Sequence, residues 1–186
     1  MVFEWAEHGN LRELYLNNNI RWDAKISIAR DICRGLAFLH SVNILHHDLK
    51  CENILITEKM QPKISNFSLA QVCDETLFCR PIDNPSNELF GTIQYVAPEI
   101  LKNQKEIMTT SSDVYSFAMI MWEVSSGNRP YDDYNGADLS EDIIKNNLRP
   151  EIMPGTPQRY SKIMRECWDD NPEKRPDIKS IQDEIK

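Results

Sequence analysis

Six consecutive residues, Phe117-Ala118-Met119-Ile120-Met121-Trp122, are apolar, and Ser111-Ser112-Asp113 precede them. Ser and Asp are residue types that cap helix N-termini. A helix that is apolar all round must be buried on every side. The chain therefore needs enough other elements to enclose one central helix. At 186 residues it has them: the length fits one domain with a sizeable core.

The enclosing helices are legible. From Trp22 to His40, the residues Trp22, Ile26, Ala29, Cys33 and Leu36 alternate spacings of four and three, with Ile28, Ile32 and Leu39 alongside. That is a broad apolar face at helical period. Gly35 inside it costs about 1 kcal/mol relative to Ala, which signals close packing. Thr156-Pro157 reads as a capped start with Pro at the first helical position. Tyr160, Ile163, Met164, Cys167 and Trp168 follow as an amphipathic stripe, and Ile178, Ile181 and Ile185 mark a last short helix. Ile54-Leu55-Ile56 and Lys63-Ile64-Ser65 read as strands joined by a polar turn. The stretch from about Ala70 to Phe90 holds Pro81, Pro85 and Ser86 with little periodicity, and a long stretch of that kind is functional or disordered. The expected fold is mainly α with a small β-hairpin.

Composition excludes several roles. Twenty-one Lys+Arg against 29 Asp+Glu give a net charge of −8. Sequence-independent nucleic-acid binding depends on neutralising phosphates, and docking on anionic lipid needs basic clusters, so neither is expected. No apolar run approaches the roughly 20 residues of a membrane span. MVFEWAEHGN has no basic region followed by an apolar stretch, so no secretory leader is expected. The five cysteines, Cys33, Cys51, Cys73, Cys79 and Cys167, form no CxxC pair. They read as independent thiols in a reducing, cytoplasmic compartment.

His46-His47-Asp48-Leu49-Lys50-Cys51-Glu52-Asn53 carries the chemistry. Taken singly, Asp48 and Asn53 are turn residues and Lys50 a solvated cation. Adjacent histidines lack the spacing to chelate one metal. Together, however, the stretch supplies what phosphoryl transfer needs: a carboxylate to accept a proton, a cation for the phosphate, and an amide oxygen for a metal.

The stretch resembles the catalytic loop H-R-D-L-K-x-x-N of eukaryotic protein kinases, present as HHDLKCEN. The resemblance runs over the whole chain and covers the hinge and C-terminal lobe, so it implies a protein-kinase-like fold, C-lobe only, with residues 1–186 as a partial kinase domain. Residues 1–16 are similar to the hinge and the helix after it, with Phe3 as gatekeeper and Glu4 to Ala6 offering backbone groups to adenine. Leu55 would pack on the adenine face. The resemblance implies Asp48 as base, Lys50 on the γ-phosphate, Asn53 as a magnesium ligand, and His46 packing on Phe67. Residues 66–99 are similar to the activation segment, ending in Gly91-Thr92 and Tyr95-Val96-Ala97-Pro98-Glu99. It further implies Thr92 beside Asp48 and Lys50, Asp113 holding the catalytic-loop backbone, and Arg175 paired with Glu99. SDVYSFAMIMWEVSSG and CWDDNPEKRP resemble the tyrosine-kinase-like group. Lys50 with Thr92 favours a serine/threonine-type loop. ATP and magnesium are the implied cofactors, and a protein substrate or signalling partner the implied partner.

Three departures stand out. The magnesium motif D-F-G reads Asn66-Phe67-Ser68. Asn offers a neutral carbonyl oxygen where magnesium is usually held by carboxylates, so metal binding is expected to be weakened. Ser68 for Gly removes free access to positive φ. His47 replaces the usual Arg, so control by activation-loop phosphate is not expected, and Thr76, Ser86 and Thr92 read as unmodified. Finally, the sequence opens at the hinge, without Gly-rich loop, strand lysine or αC glutamate. Either it is a fragment or the N-lobe is truly missing. Without an N-lobe, or a partner covering the cleft, aggregation is expected. Three readings follow: an active kinase lobe, a pseudokinase that binds nucleotide or protein as a scaffold, and a truncated product. An impaired or inactive kinase domain is the favoured expectation.

Overall fold

The fold is organised around the helix that the apolar run demands. The computed structural model describes residues 5–73, 93–103 and 107–185. The central helix spans Thr110–Ser126 (α4, counting helices among the described residues). Within it every residue from Ser112 to Ser125 except Ser116 is buried. Its start differs from the expected one. Thr109 is the N-cap and forms a capping box with Ser112, so Ser111 and Asp113 lie in the first turn. This frees the Asp113 carboxylate from capping. The helix ends at Gly127, whose φ of +74° is the left-handed conformation that Gly adopts without a Cβ penalty.

The other helices pack around α4. Among them are α1 (Leu11–Asn17), α2 (Trp22–Ser41), α3 (Pro98–Lys102), α5 (Leu139–Lys145), α6 (Gln158–Cys167) and α7 (Ile178–Glu184). The α2 face predicted from periodicity is the buried one: Ile28, Ala29, Ile32, Cys33, Leu36 and Leu39 enter the core, with Trp22 and Ile26 partly buried at its rim. Helix α6 is tied to α4 by the Tyr160 hydroxyl, which donates to the Met121 carbonyl at 2.9 Å. Trp22 meets the Tyr160 ring edge-on at 5.5 Å. The predicted Thr156 cap is displaced by one residue. Thr156 donates its hydroxyl to the Met153 carbonyl, and Pro157 itself holds the N-cap position. Helix α7 is capped by Asp177, which accepts from the Lys179 and Ser180 amides.

Two antiparallel pairs complete the frame. Strand β2 (Ile54–Ile56) pairs with β3 (Pro62–Ile64) in the register Ile54↔Ile64, Leu55↔Lys63, Ile56↔Pro62. The second strand thus starts one residue earlier than its pattern suggested. Ile54 and Ile56 face the core while Leu55 lies on the other face. A Cβ at Gly35 would sit 3.1 Å from Ile64 Cδ1, so the glycine lets α2 approach the hairpin. Strand β1 (Ile44–Leu45) pairs with β4 (Gln71–Val72), a second sheet not anticipated from sequence.

Cys33, Cys51 and Cys167 are free and buried. Cys73, by contrast, is disulfide-bonded. This corrects the reading of five independent thiols, since sequence spacing does not reveal which Cα atoms approach within bridging distance. No described helix is long and apolar enough to cross a membrane.

Phe117 is fully buried in α4. Phe117→Ala is expected to lower stability by about 3–5 kcal/mol, the range for deleting a buried ring without full collapse of the cavity. Denaturant unfolding checks this.

Candidate active site

Asp113, delivered by α4, is the anchor of the site. Its side chain is 2% exposed. Oδ1 accepts the His47 backbone N–H at 3.0 Å. Oδ2 accepts the His46 N–H at 2.9 Å and faces His40 Nε2 at 3.1 Å. Burial alone would raise this carboxyl. The hydrogen bonds from His40 and from the His46 and His47 backbone outweigh it and hold Asp113 below the ordinary carboxylate range. His47 sits at φ +66°, a conformation that costs a non-glycine residue about 1–3 kcal/mol and persists only where surroundings over-determine it. The Asp113 bond to the same residue's N–H supplies that constraint.

Held this way, the loop places Asp48 above the 3₁₀ turn Cys51–Asn53. Asp48 Oδ1 pairs with Lys50 Nζ at 2.9 Å. Asn53 Nδ2 donates to both the Asp48 carbonyl and Asp48 Oδ2, each at 2.7 Å. Asn66, at φ +61°, brings its amide to the same group. Its Nδ2 donates to Asp48 Oδ2 and to Asn53 Oδ1, each at 3.3 Å, while its own Oδ1 accepts the Ser68 hydroxyl at 2.9 Å. Asp48, Lys50, Asn53 and Asn66 are thus gathered in one cluster. His46 bonds the Ser65 carbonyl through Nε2 at 2.8 Å and meets the Phe67 ring edge-on at 5.1 Å.

The remaining sequence-selected residues lie elsewhere. Glu99 and Arg175 form a two-pronged pair, both bonds at 2.8 Å, with the Arg175 side chain fully buried. Leu55 is half-buried on β2. The Ala6 carbonyl accepts the Gly9 N–H at 3.2 Å. Phe3, Glu4, Thr76, Ser86 and Thr92 fall outside the described residues, as does most of the stretch between Ala70 and Phe90. The expected backbone penalty at Ser68 does not arise, because Ser68 lies in the 3₁₀ turn Phe67–Leu69 and Asn66 is the left-handed residue. Asn is among the residues that tolerate that conformation.

A second network escaped the sequence reading. Glu123, fully buried in α4, accepts from Arg12 Nε at 2.9 Å and Nη2 at 2.7 Å, and from the hydroxyls of Tyr15 and Tyr95. Arg12 also pairs with Glu52 of the catalytic loop, and Arg129 joins Glu52 at 3.0 Å. Burial, reinforced by Glu123, pushes the Tyr15 and Tyr95 hydroxyls well above the ordinary phenol value. The available signal was a charged residue one position after an all-apolar run, since such a residue is almost never buried unless paired.

Magnesium takes oxygen donors in near-octahedral geometry. At this cluster Asn66 presents N–H groups to Asp48 Oδ2 and Asn53 Oδ1, and its own oxygen is engaged by Ser68. Among the described residues no three His, Cys, Asp or Glu side chains gather as a metal group. The donor set does not fit magnesium.

A family model described as protein tyrosine and serine/threonine kinase matches residues 1–185. The chain is 33% identical over its full length to a "Probable LIM domain-containing serine/threonine-protein kinase" of Dictyostelium discoideum, of which it covers 18%. It is 31% identical, over 97% of its length, to a serine/threonine/tyrosine-protein kinase of Arabidopsis thaliana, of which it covers 45%. The chain thus spans less than half the length of these relatives.

Burial holds His47 below the ordinary imidazole value of about 6.5, outweighing the upward pull of Asp113. As pH falls below about 6.5 the unfolded chain takes up a proton that the folded chain resists, so stability drops through that window. The Asp113 contribution persists down to about pH 4 and is lost only below it. His47→Gln is expected to flatten the limb between roughly pH 6.5 and 5, read from denaturant midpoints against pH.

Proposed function

Because the chain belongs to the protein tyrosine and serine/threonine kinase family, we propose that it is the lobe of a serine/threonine-type kinase domain in which phosphoryl transfer is impaired at the metal-holding half of the site. In this family ATP supplies the phosphoryl group and magnesium neutralises its charge. The residues that would serve the acceptor are present. Asp48 can accept the proton of a serine or threonine hydroxyl, and Lys50 Nζ pairs with its carboxylate at 2.9 Å. Ala6, Leu55 and the backbone of Glu4 would line the adenine side. An N-lobe or a partner would cover the cleft.

The observation that carries the reading is the Asn66 amide directed at Asp48 and Asn53. A carboxylate there would add the charge that holds a cation, whereas an amide adds hydrogen-bond donors.

A second reading, a pseudokinase that acts as a protein- or nucleotide-binding scaffold in signalling, draws support from Asp48 Oδ2. This oxygen already accepts from two amides, so it is engaged internally instead of being open to a substrate hydroxyl. On either reading, substrate and pathway follow from parts of the protein beyond the site.

Phosphoryl transfer to a serine/threonine peptide by the protein in its full natural length tests the proposal. The parent is expected to work near background, and Asn66→Asp to raise the rate by about tenfold or more. A brisk parent that Asn66→Asp leaves unchanged would overturn it.

A further inference from the structure

We infer that Asn66 stands in for a divalent cation: its amide bridges Asp48 and Asn53, so the catalytic cluster assembles without a metal and binds no magnesium of its own. This deepens the reading of impaired transfer and rests on it for the identity of the site.

The bond inventory supports the inference. Asp48 Oδ1 is engaged by Lys50, and Asp48 Oδ2 by the amides of Asn53 and Asn66. Asn53 Oδ1 accepts from Asn66, and Asn66 Oδ1 from Ser68. Every side-chain oxygen that could face a cation already has an internal donor. A cation would have to displace those donors; Asn53 is buried, whereas Asn66 and Ser68 are exposed, so there the cation competes with an internal bond that water can replace.

Charge points the same way. Asp48 and Lys50 cancel, and Asn53, Asn66 and Ser68 are neutral, so the cluster is formally neutral. With a carboxylate at position 66 it would carry one negative charge, and two carboxylates about 3.3 Å apart would repel until a cation separated them. The two Asn66 bonds at 3.3 Å are at the weak end of the range. The acceptor-only Asp48 carboxylate turns the amide nitrogen toward itself, and the Ser68 hydroxyl, which can donate or accept, donates to the amide oxygen.

The experiment is thermal unfolding of the full-length protein in EDTA, in magnesium chloride, and in sodium chloride of matched ionic strength. The wild type is expected to unfold at the same midpoint in magnesium as in matched sodium chloride. Asn66→Asp should fall in EDTA by about 3 °C or more and recover in magnesium. Asn66→Gly, which keeps the left-handed backbone and removes only the amide, should fall equally in all three buffers. A wild-type midpoint that climbs saturably with magnesium overturns the inference, and so does an Asn66→Gly variant as stable as the parent. Where Asn66→Asp does not fold, manganese titration of the wild type followed by electron paramagnetic resonance decides. Free manganese throughout is expected, and one bound equivalent refutes the bridge. A wild type blind to magnesium that nevertheless transfers phosphate briskly sinks the proposed function while sustaining the bridge. A magnesium-stabilised, inert wild type does the reverse.

Discussion

The site depends on one buried carboxylate. Asp113 enters from the central helix and takes two successive backbone N–H groups of the catalytic loop, with His40 on its outer oxygen. A loop residue at positive φ would relax without such a hold. The capping box of Thr109 and Ser112 matters here, because it satisfies the helix start and leaves Asp113 free to reach outward. The apolar central helix therefore also positions the loop that carries Asp48.

The same helix carries a second ionic centre one face away. Glu123 gathers Arg12 from α1 and the hydroxyls of Tyr15 and Tyr95, and Arg12 extends the network to Glu52 beside Asn53. A fully buried carboxylate is tolerable only when its oxygens are saturated by donors. The consequence is that α1, the loop from His46 to Asn53 and the segment before α3 share one fixed point. The loop is thus held from two directions, by Asp113 and by the Arg12–Glu52 pair, while Arg175 separately ties Glu99 of α3 to the Ser111 carbonyl at the start of α4. That is the setting in which an amide at position 66 can close the cluster.

Much of this was legible. The spacing of Trp22 to Leu39 gave the buried face of α2, and the run from Phe117 to Trp122 required the enclosed helix. HHDLKCEN brought Asp48, Lys50 and Asn53 forward together, and Asn66 was noticed as a neutral residue where a charge was expected. What stayed hidden has physical causes. Helix α3 has only five residues, and α5, LSEDIIK, buries only Ile143, so neither shows a repeating apolar face. Strands β1 and β4 have two residues each and pair across distant sequence, so no local signal marks them. Glu123 looked like an ordinary charge at the end of an apolar stretch. At Ser68 the sequence draws attention to the backbone, whereas the structure engages its hydroxyl, which donates to Asn66 Oδ1.

By itself, the sequence determined which residue types could meet: a carboxylate, a cation and two amides, near a helix that had to be enclosed. Periodicity and residue chemistry are local properties, and they survive in the string. Only the tertiary structure decided which atom of Asn66 faces Asp48, and that Arg12 and Glu123, 111 positions apart, neutralise one another. Hydrogen-bond direction and long-range pairing are set by packing, and packing exists only once the chain has folded.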